Sequence, residues 1–188
     1  TAILNAKAEN MPKANIDAAI KRASGKDAAN FAEVNFEGKG PHGVLIFVET
    51  ATDNNTRTVA NVKMYFNKTQ GQVVPTGSLE FFFDRKAIFE FTKPANMELE
   101  ELELELIDAG LEEIDEEEGV VLAYANYTDF GNMNQKFEEL GIELTKAELK
   151  RIANNPQEFT EAQQDEIGKL IEKLEDDEDV QAVYTNIA

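Results

Sequence analysis

The sequence has 188 residues, of which 42% are hydrophobic, and it contains no cysteine. This is enough apolar material for one large domain or two to three small ones, and it excludes disulfides, thiolate chemistry and cysteine-rich zinc sites. A formal net charge of −19 argues against a general polyanion binder, because phosphate contacts need clustered lysine and arginine.

Neither a membrane helix nor a secretion signal is visible. No apolar run approaches the ~20 residues that a membrane span needs, and no basic-then-apolar segment opens the chain. We therefore expect a cytoplasmic protein. The chain begins at Thr1 inside what reads as a helix, so we expect a fragment that lacks its true start.

The charges are unevenly distributed along the chain. Residues 1–93 carry 12 basic and 10 acidic side chains, whereas residues 94–188 carry 6 basic and 27 acidic ones. Because the excess acid lies in the second half, we expect any surface that contacts nucleic acid in the first half.

Hydrophobic spacing and turn residues predict the following elements in chain order: helices at 2–9 and 12–23, strands at 31–37 and 44–48, a helix at 55–69, strands at 79–83 and 87–91, a helix at 98–109, strands at 111–115 and 120–125, a helix at 130–140, a strand within 142–152, a helix after a Thr160–Gln163 capping box, and a strand at 180–187. The strand at 44–48 is apolar at every position, which predicts burial on both faces. The segment 98–109 fits either a strand or a helix by its leucines, and its Leu/Glu composition favours the helix.

This order predicts an α+β fold with a split domain. The buried strand, the helix and the two strands that follow it, and the final helix and strand would form a ferredoxin-like β-α-β-β-α-β unit. We assign 28–93 plus 157–188 to this domain, 94–156 to an inserted acidic α+β domain, and 1–27 to a helical N-terminal segment that is truncated. Two consecutive domains, without a return of the chain, are the alternative.

Four segments resemble a known family. They are NMPKANIDAAIKRASG at 10–25, EGKGPHGV at 37–44 leading into ETATDNNTRT at 49–58, GSLEFFF at 77–83, and LEDDEDVQAVYTN at 174–186. These segments lie in the same order as in the YebC/PmpR family, and the chain is identified as a member of it.

The resemblance implies a non-enzymatic regulator of gene expression with a helical N-terminal domain and two α+β domains. The family includes probable transcriptional regulators and the mitochondrial translational activator of cytochrome c oxidase, and some bacterial relatives are associated with the ribosome. Family members usually start with a longer, strongly basic segment, which this sequence lacks. The missing segment and the acidic second half both weigh against simple DNA binding.

Basic side chains around the second helix are candidates for nucleic-acid contact. Lys13 and Lys21 would lie about 80° apart around the helix, on one broad side. Arg22 and Lys26 follow closely, and Lys7 is near in sequence. A solvated helix face and a phosphate-contacting face both remain open.

The segment TDNNTRT joins a predicted strand to a helix. Asp53 or Asn54 is expected to cap that helix, which explains the polar residues structurally. Capping does not require Arg57, whose five donors suit phosphate or carboxylate recognition. Arg57 is therefore a candidate nucleic-acid contact, and Asn54 and Asn55 are candidates for binding a partner or a phosphate.

The turn GKGPHG matches the G-x-G-x-x-G pattern of dinucleotide sites. That chemistry requires a strand before the motif and a helix after it, whereas here the motif joins two strands. A plain turn is the expected role. The backbone N–H groups of Gly38, Lys39, Gly40 and Gly43 remain candidates for contacting a phosphate or a partner.

No cofactor, metal site or catalytic group is predicted. His42 is the only histidine, and neither a second histidine nor a cysteine accompanies it. The acidic runs at 112–118 and 172–179 lack the ligand pattern of a calcium loop. We expect them to keep the protein soluble, to repel nucleic acid, or to meet a basic protein surface.

These observations favour a gene-expression regulator whose partner is nucleic acid, either DNA or ribosomal RNA, with ribosomal proteins as additional candidates. No membrane or small-molecule substrate is predicted. The family label favours a DNA-binding transcriptional regulator, whereas the charge distribution favours a ribosome-associated translation factor. A protein–protein adaptor is a further alternative.

Overall fold

A computed structural model of the chain describes the backbone of residues 2–23 and 30–188, and their side chains except at 18 and 21–23. The helices of this part are α1 (Ala2–Ala8), α2 (Lys13–Ala23), α3 (Asn55–Lys68), α4 (Leu99–Ile107), α5 (Phe130–Glu139) and α6 (Glu161–Glu175). The strands are β1 (Ala32–Lys39), β2 (Leu45–Thr52), β3 (Gln72–Val74), β4 (Phe83–Thr92), β5 (Leu111–Glu117), β6 (Val120–Asn126), β7 (Leu144–Ala153) and β8 (Val180–Thr185). None of the described helices is long and apolar enough to span a bilayer.

The strands form two four-stranded sheets, in the orders β3-β1-β2-β8 and β5-β6-β4-β7. The chain divides into two compact units, which we name by their sheets. The first-sheet unit contains residues 21–84 and 152–188, and the second-sheet unit contains residues 1–20 and 85–151. This confirms the predicted α+β fold in which one α+β part is inserted into another. The structural boundaries fall earlier in the chain than the predicted boundaries after 93 and 156.

The strand β2 is the buried centre of the first-sheet unit. Ile46 and Val48 are 0% exposed and pack with apolar side chains of α3 and α6. Phe47 lies in a separate cluster with Leu79 and Phe83. Since successive side chains of a strand point to opposite faces, the two clusters cover both faces of β2. The predicted burial of 44–48 on both faces is confirmed.

The first sheet is built from antiparallel pairs. β1 pairs with β2 and with β3, and β2 pairs with β8. The elements of this unit therefore follow each other as β-β-α-β-α-β, with the three-residue β3 as a strand that the sequence pattern did not predict. The capping box at the start of α6 is present, with the side chains of Thr160 and Gln163 each bonded to the other's backbone N–H.

The predicted hairpin between 79–83 and 87–91 is wrong. Residues 80–82 form one turn of 3-10 helix, and β4 then runs without interruption from Phe83 to Thr92. The polar run Asp84-Arg85-Lys86 resembles a turn in sequence, but it lies inside the strand. From Lys86 onward the strand pairs with β6, so its backbone groups are satisfied in the second sheet.

The leucine-rich segment 98–109, which fits either a strand or a helix by its sequence, forms the helix α4 of the second-sheet unit. Leu102 and Leu106, one helical turn apart, are 0% exposed in the core, whereas Leu104 is 72% exposed. A strand would have placed all three leucines on one face. Phe89 and Phe91 of β4 complete the same core with Phe137 of α5.

Gly38 provides a test of the packing in the first-sheet unit. An added Cβ at this position would lie 2.3 Å from Cε1 of Phe66, whose side chain is fully buried. We predict that Gly38→Ala lowers the free energy of unfolding by about 1–3 kcal/mol through overpacking, as measured by urea denaturation. Gly168→Ala in α6 is the control, because nothing lies within 4 Å of its added Cβ, and it should raise stability by up to ~1 kcal/mol. Equal stabilities of the two variants would contradict this account.

Candidate nucleic-acid interface

A cleft of about 490 Å³ opens in the first-sheet unit where β1 ends and β2 begins. Its polar walls come from the last residue of β1, the segment after β3, the segment before α6 and the residue after β8; the side chains are Lys39, Ser78, Asn155, Gln157 and Asn186. Among the described residues that line it, Lys39 alone carries a charge. The described part of the chain offers Lys39 no ion-pair partner. The described lining of the cleft therefore carries a single positive charge on an acidic protein.

The glycines of the GKGPHG turn have different roles. Gly38 and Gly40 are buried, and an added Cβ at Gly40 would lie 2.8 Å from Val44 Cγ1. Gly43 lines the cleft with a φ of 76°, which favours glycine. Of the residues predicted in this turn, the structure brings Lys39 and Gly43 to the cleft, whereas Gly38 and Gly40 serve packing.

Glu37 fixes the wall of the cleft opposite this turn. Its side chain belongs to β1 and the residue is only 3% exposed. The carboxylate accepts hydrogen bonds from the backbone N–H of Gly77 and from that of Leu79, the latter at 2.7 Å. A buried carboxylate is costly unless it is hydrogen-bonded, so this pair of bonds anchors the segment that follows β3.

Two aromatic rings project from that anchored segment. Phe81 is 85% exposed and Phe82 is 46% exposed, and Phe82 lines the cleft. Their backbone is held by Asn154, whose Nδ2 donates to Phe81 O at 2.7 Å and whose backbone N donates to Phe82 O at 3.1 Å. The two rings therefore stand on a fixed backbone.

Sequence reasoning missed Glu37, Phe81, Phe82 and Asn154. One signal was available in GSLEFFF, because three successive aromatic residues cannot all point to the same face of a strand. Phe83 is buried, and the two phenylalanines before it are exposed. The pattern alone did not indicate which of the three rings faces water.

Arg57 lies in the first turn of α3, near the other end of β2, a strand that is about 23 Å long at ~3.3 Å per residue. Its guanidinium donates to Asp179 through Nη2 at 2.7 Å and Nε at 3.2 Å, and to Asp53 at 3.0 Å. Any phosphate at this position would compete with two carboxylates. The nucleic-acid role of Arg57 stays a prediction, and its observed role is to bind β8 to α3.

Asp179 is the centre of this network. Its side chain is 7% exposed and also accepts a 2.8 Å hydrogen bond from Thr58 Oγ1. Burial alone would raise the pKa of Asp179, but the hydrogen bonds from Arg57 and Thr58 outweigh it and hold the pKa below its ordinary value. Two residues earlier, Asp177 accepts a 2.7 Å bond from Tyr65 Oη, and burial together with this bond raises the pKa of Tyr65 to about 12.

The two asparagines of the same loop have a structural place. Asn54 caps α3, with its Oδ1 accepting from the backbone N of Arg57 at 3.1 Å. Asn55 is the first residue of α3 and is exposed. The predicted capping is confirmed, and neither asparagine lines the cleft.

Two of the basic residues predicted around the first helices belong to the second-sheet unit. Lys7 in α1 and Lys13 at the start of α2 are exposed in the second-sheet unit. Lys21 and Arg22 lie in α2 without described side chains, and Lys26 lies outside the described residues. Their role in nucleic-acid contact stays a prediction.

The helix α1 is attached to the second-sheet unit by a side-chain amide. Asn5 accepts from the backbone N of Ala147 at 3.0 Å and donates to its O at 2.6 Å. Ala147 lies in β7, the last strand in the order of its sheet, so Asn5 pairs with the strand as a neighbouring strand would.

An acidic hollow of about 640 Å³ lies on the second-sheet unit. Glu90 and the run 115–118 supply its carboxylates. None of the described residues that line this hollow is basic. The hollow therefore suits a basic partner surface and disfavours a phosphate.

His42 lies on the first-sheet unit, where its Nε2 is 2.8 Å from Oε2 of Glu166.

The Asp179 network gives a pH-dependent prediction. Since the pKa of Asp179 is lower in the folded state, its stabilisation is present at neutral pH and is lost as the pH falls below about 3.9. We predict that Asp179→Asn lowers the free energy of unfolding by about 1.5–3 kcal/mol at neutral pH, and that this difference shrinks towards pH ~3. Asp53→Asn, at an exposed partner of Arg57, should cost less than ~1 kcal/mol. An Asp179→Asn deficit that is equal at both pH values in urea unfolding would contradict the ion-pair account.

Comparison with known proteins gives a matching family model and relatives of high sequence identity. The family model for the second and third domain of TACO1/YebC proteins matches residues 31–187. A probable transcriptional regulatory protein of Wolinella succinogenes is 64% identical over 189 residues, covering 100% of this chain and 80% of the relative. A probable transcriptional regulatory protein of Sulfurimonas denitrificans is 62% identical over 188 residues, with the same two coverages.

A solved structure has the same fold. The conserved hypothetical protein Aq1575 of Aquifex aeolicus is 32% identical, with a TM-score of 0.74 over 100% of this chain and 78% of that one. The match of the family model over most of the chain, the two relatives and the shared fold agree with the four sequence segments. The chain therefore belongs to the TACO1/YebC family, whose relatives here are named probable transcriptional regulatory proteins.

Proposed function

We propose that this chain is a non-enzymatic gene-expression regulator that binds nucleic acid at the Lys39 cleft. The observation that carries the proposal is the charge of the cleft: Lys39 is its one charged residue among those described, and it has no acidic partner there. Arg57 of the same unit, by contrast, is bound by the carboxylates of Asp53 and Asp179. An ammonium group without a partner, beside side-chain amides, suits a phosphate and the polar edges of a nucleotide.

The acidity of the whole protein limits how such binding would work. A net charge of −19 repels a polyanion at long range, so affinity must come from few, local contacts. A single phosphate contact contributes a salt slope of only about −0.7 to −0.9. We therefore expect weak to moderate affinity with a shallow salt dependence, unlike that of a basic nucleic-acid-binding domain.

Substitution of Lys39 tests this proposal. We predict that Lys39→Ala weakens oligonucleotide binding and reduces the slope of log K against log salt by about 0.7–0.9, because one phosphate contact is lost. Fluorescence anisotropy with labelled DNA and RNA, titrated between roughly 50 and 200 mM salt, measures both quantities. Lys63→Ala is the matched control, since Lys63 is an exposed lysine of α3 that does not line the cleft.

An unchanged slope in Lys39→Ala, or the same loss in Lys63→Ala, would remove the cleft as the binding site. Partner binding that is insensitive to salt and to both substitutions would favour the protein–protein adaptor instead.

A ribosome-associated translation factor is the second candidate function. The acidic hollow of the second-sheet unit favours it, because ribosomal proteins present basic surfaces and ribosomal RNA presents phosphates. In that arrangement the carboxylates of 115–118 would meet protein while Lys39 meets RNA. Sedimentation of a nuclease-treated lysate through a sucrose gradient separates the two candidates. Migration with ribosomal particles supports the translation factor, and retention at the top of the gradient favours DNA as the target.

A further inference from the structure

We infer that Phe81 and Phe82 form a base-stacking platform, so that the nucleic acid at the Lys39 cleft is single-stranded. This inference rests on the proposed nucleic-acid binding and specifies its ligand class and two further contact residues. Neither ring was among the contacts that the sequence predicted.

The exposure of Phe81 is the first observation that supports a stacking platform. At 85%, it is the most exposed of the large hydrophobic side chains in the described part of the chain. Burying a phenylalanine side chain stabilises a fold, so a ring left in water forgoes that stabilisation. Scattered exposed apolar residues are ordinary, but here a second exposed ring follows immediately and lines a cleft.

The ordered backbone that carries the two rings is the second observation that supports the platform. Glu37 holds Leu79, and the 3.0 Å bond from the N of Phe82 to the O of Leu79 closes the turn that carries both rings. Asn154 then holds the carbonyl groups of Phe81 and Phe82. Because the backbone is already ordered, a planar ligand can stack on the rings without the cost of ordering a loop.

The ammonium group of Lys39 is the third observation, and it bears on the ligand. Phe82 and Lys39 line the same cleft, so one cleft presents both an aromatic side chain and an ammonium group. An unpaired nucleotide offers a planar base for the ring and a phosphate for the lysine. In a duplex the base faces are already stacked on each other, and an apolar peptide offers Lys39 only neutral carbonyl oxygens in place of a charged phosphate. The combination therefore favours a single strand of RNA or DNA.

The absence of tryptophan from the sequence provides a direct readout. Phe81→Trp introduces a single indole that retains stacking, and we expect a bound single strand to quench its fluorescence. Phe31→Trp is the matched control, because Phe31 is an exposed phenylalanine, 51% accessible, that precedes β1 and lies at the end of that strand remote from Lys39. Quenching of Phe81→Trp but not of Phe31→Trp supports the platform, and equal behaviour of the two would overturn it.

Removal of the ring gives the affinity test. We predict that Phe81→Ala weakens binding of a labelled single strand of about 15 nucleotides by roughly 5- to 150-fold, whereas Phe81→Tyr and Phe31→Ala stay near the wild-type affinity. Matched strands of RNA and DNA distinguish the two sources of the ligand, and the corresponding duplexes should bind more weakly. Urea unfolding of each variant checks that the exposed substitutions leave the fold intact.

The outcomes separate this inference from the proposed function. Oligonucleotide binding that needs Lys39 but is unaffected by Phe81→Ala, or that prefers the duplex, overturns the platform and leaves the proposed function standing. No binding of any oligonucleotide to the wild-type chain overturns both. Capture of an apolar peptide that requires Phe81, without oligonucleotide binding, assigns the rings to a protein partner and likewise overturns the inference.

Discussion

The buried carboxylate of Glu37 is the constraint on which the candidate site depends. It lies within the hydrogen-bonded strand β1, and it is satisfied by two backbone N–H groups from a segment about forty residues further along the chain. Moving that segment away would leave a buried charge without partners, which costs more than most single contacts in a protein. One wall of the cleft and the position of both exposed rings follow from this bond pair.

The carboxylates at the other end of β2 determine which basic side chain is neutralised. Asp179 and Asp177 attach the start of β8 to α3, and in doing so they neutralise Arg57 and engage Tyr65. The acidic segment LEDDEDV is thus partly a structural clamp and not only a solubilising run. Because Arg57 is used in these contacts, its charge is not available to a phosphate as that of Lys39 is.

Apart from the segment 10–25, the segments that carry the family resemblance fall into two groups within the first-sheet unit. EGKGPHGV, GSLEFFF and the terminal YTN meet at the cleft, through Lys39, Phe82 and Asn186. TDNNTRT and LEDDEDV meet at the opposite end of β2, through Arg57 and Asp179. A motif list therefore mixes residues of a surface cleft with residues of an internal clamp. Only the contacts between the segments show which residues belong to the cleft and which to the clamp.

The sequence by itself determined the α+β class, most helices and strands, the double-sided burial of 44–48, the caps at Asn54 and Thr160, and the family. These features depend on neighbours within a few residues, where spacing and capping chemistry are readable. The tertiary structure alone decided which sheet β4 joins, that Arg57 is bound by Asp179, and that Phe81 faces water. Such outcomes depend on partners far along the chain, 122 residues apart for Arg57 and Asp179, and a local pattern carries no information about a partner at that separation.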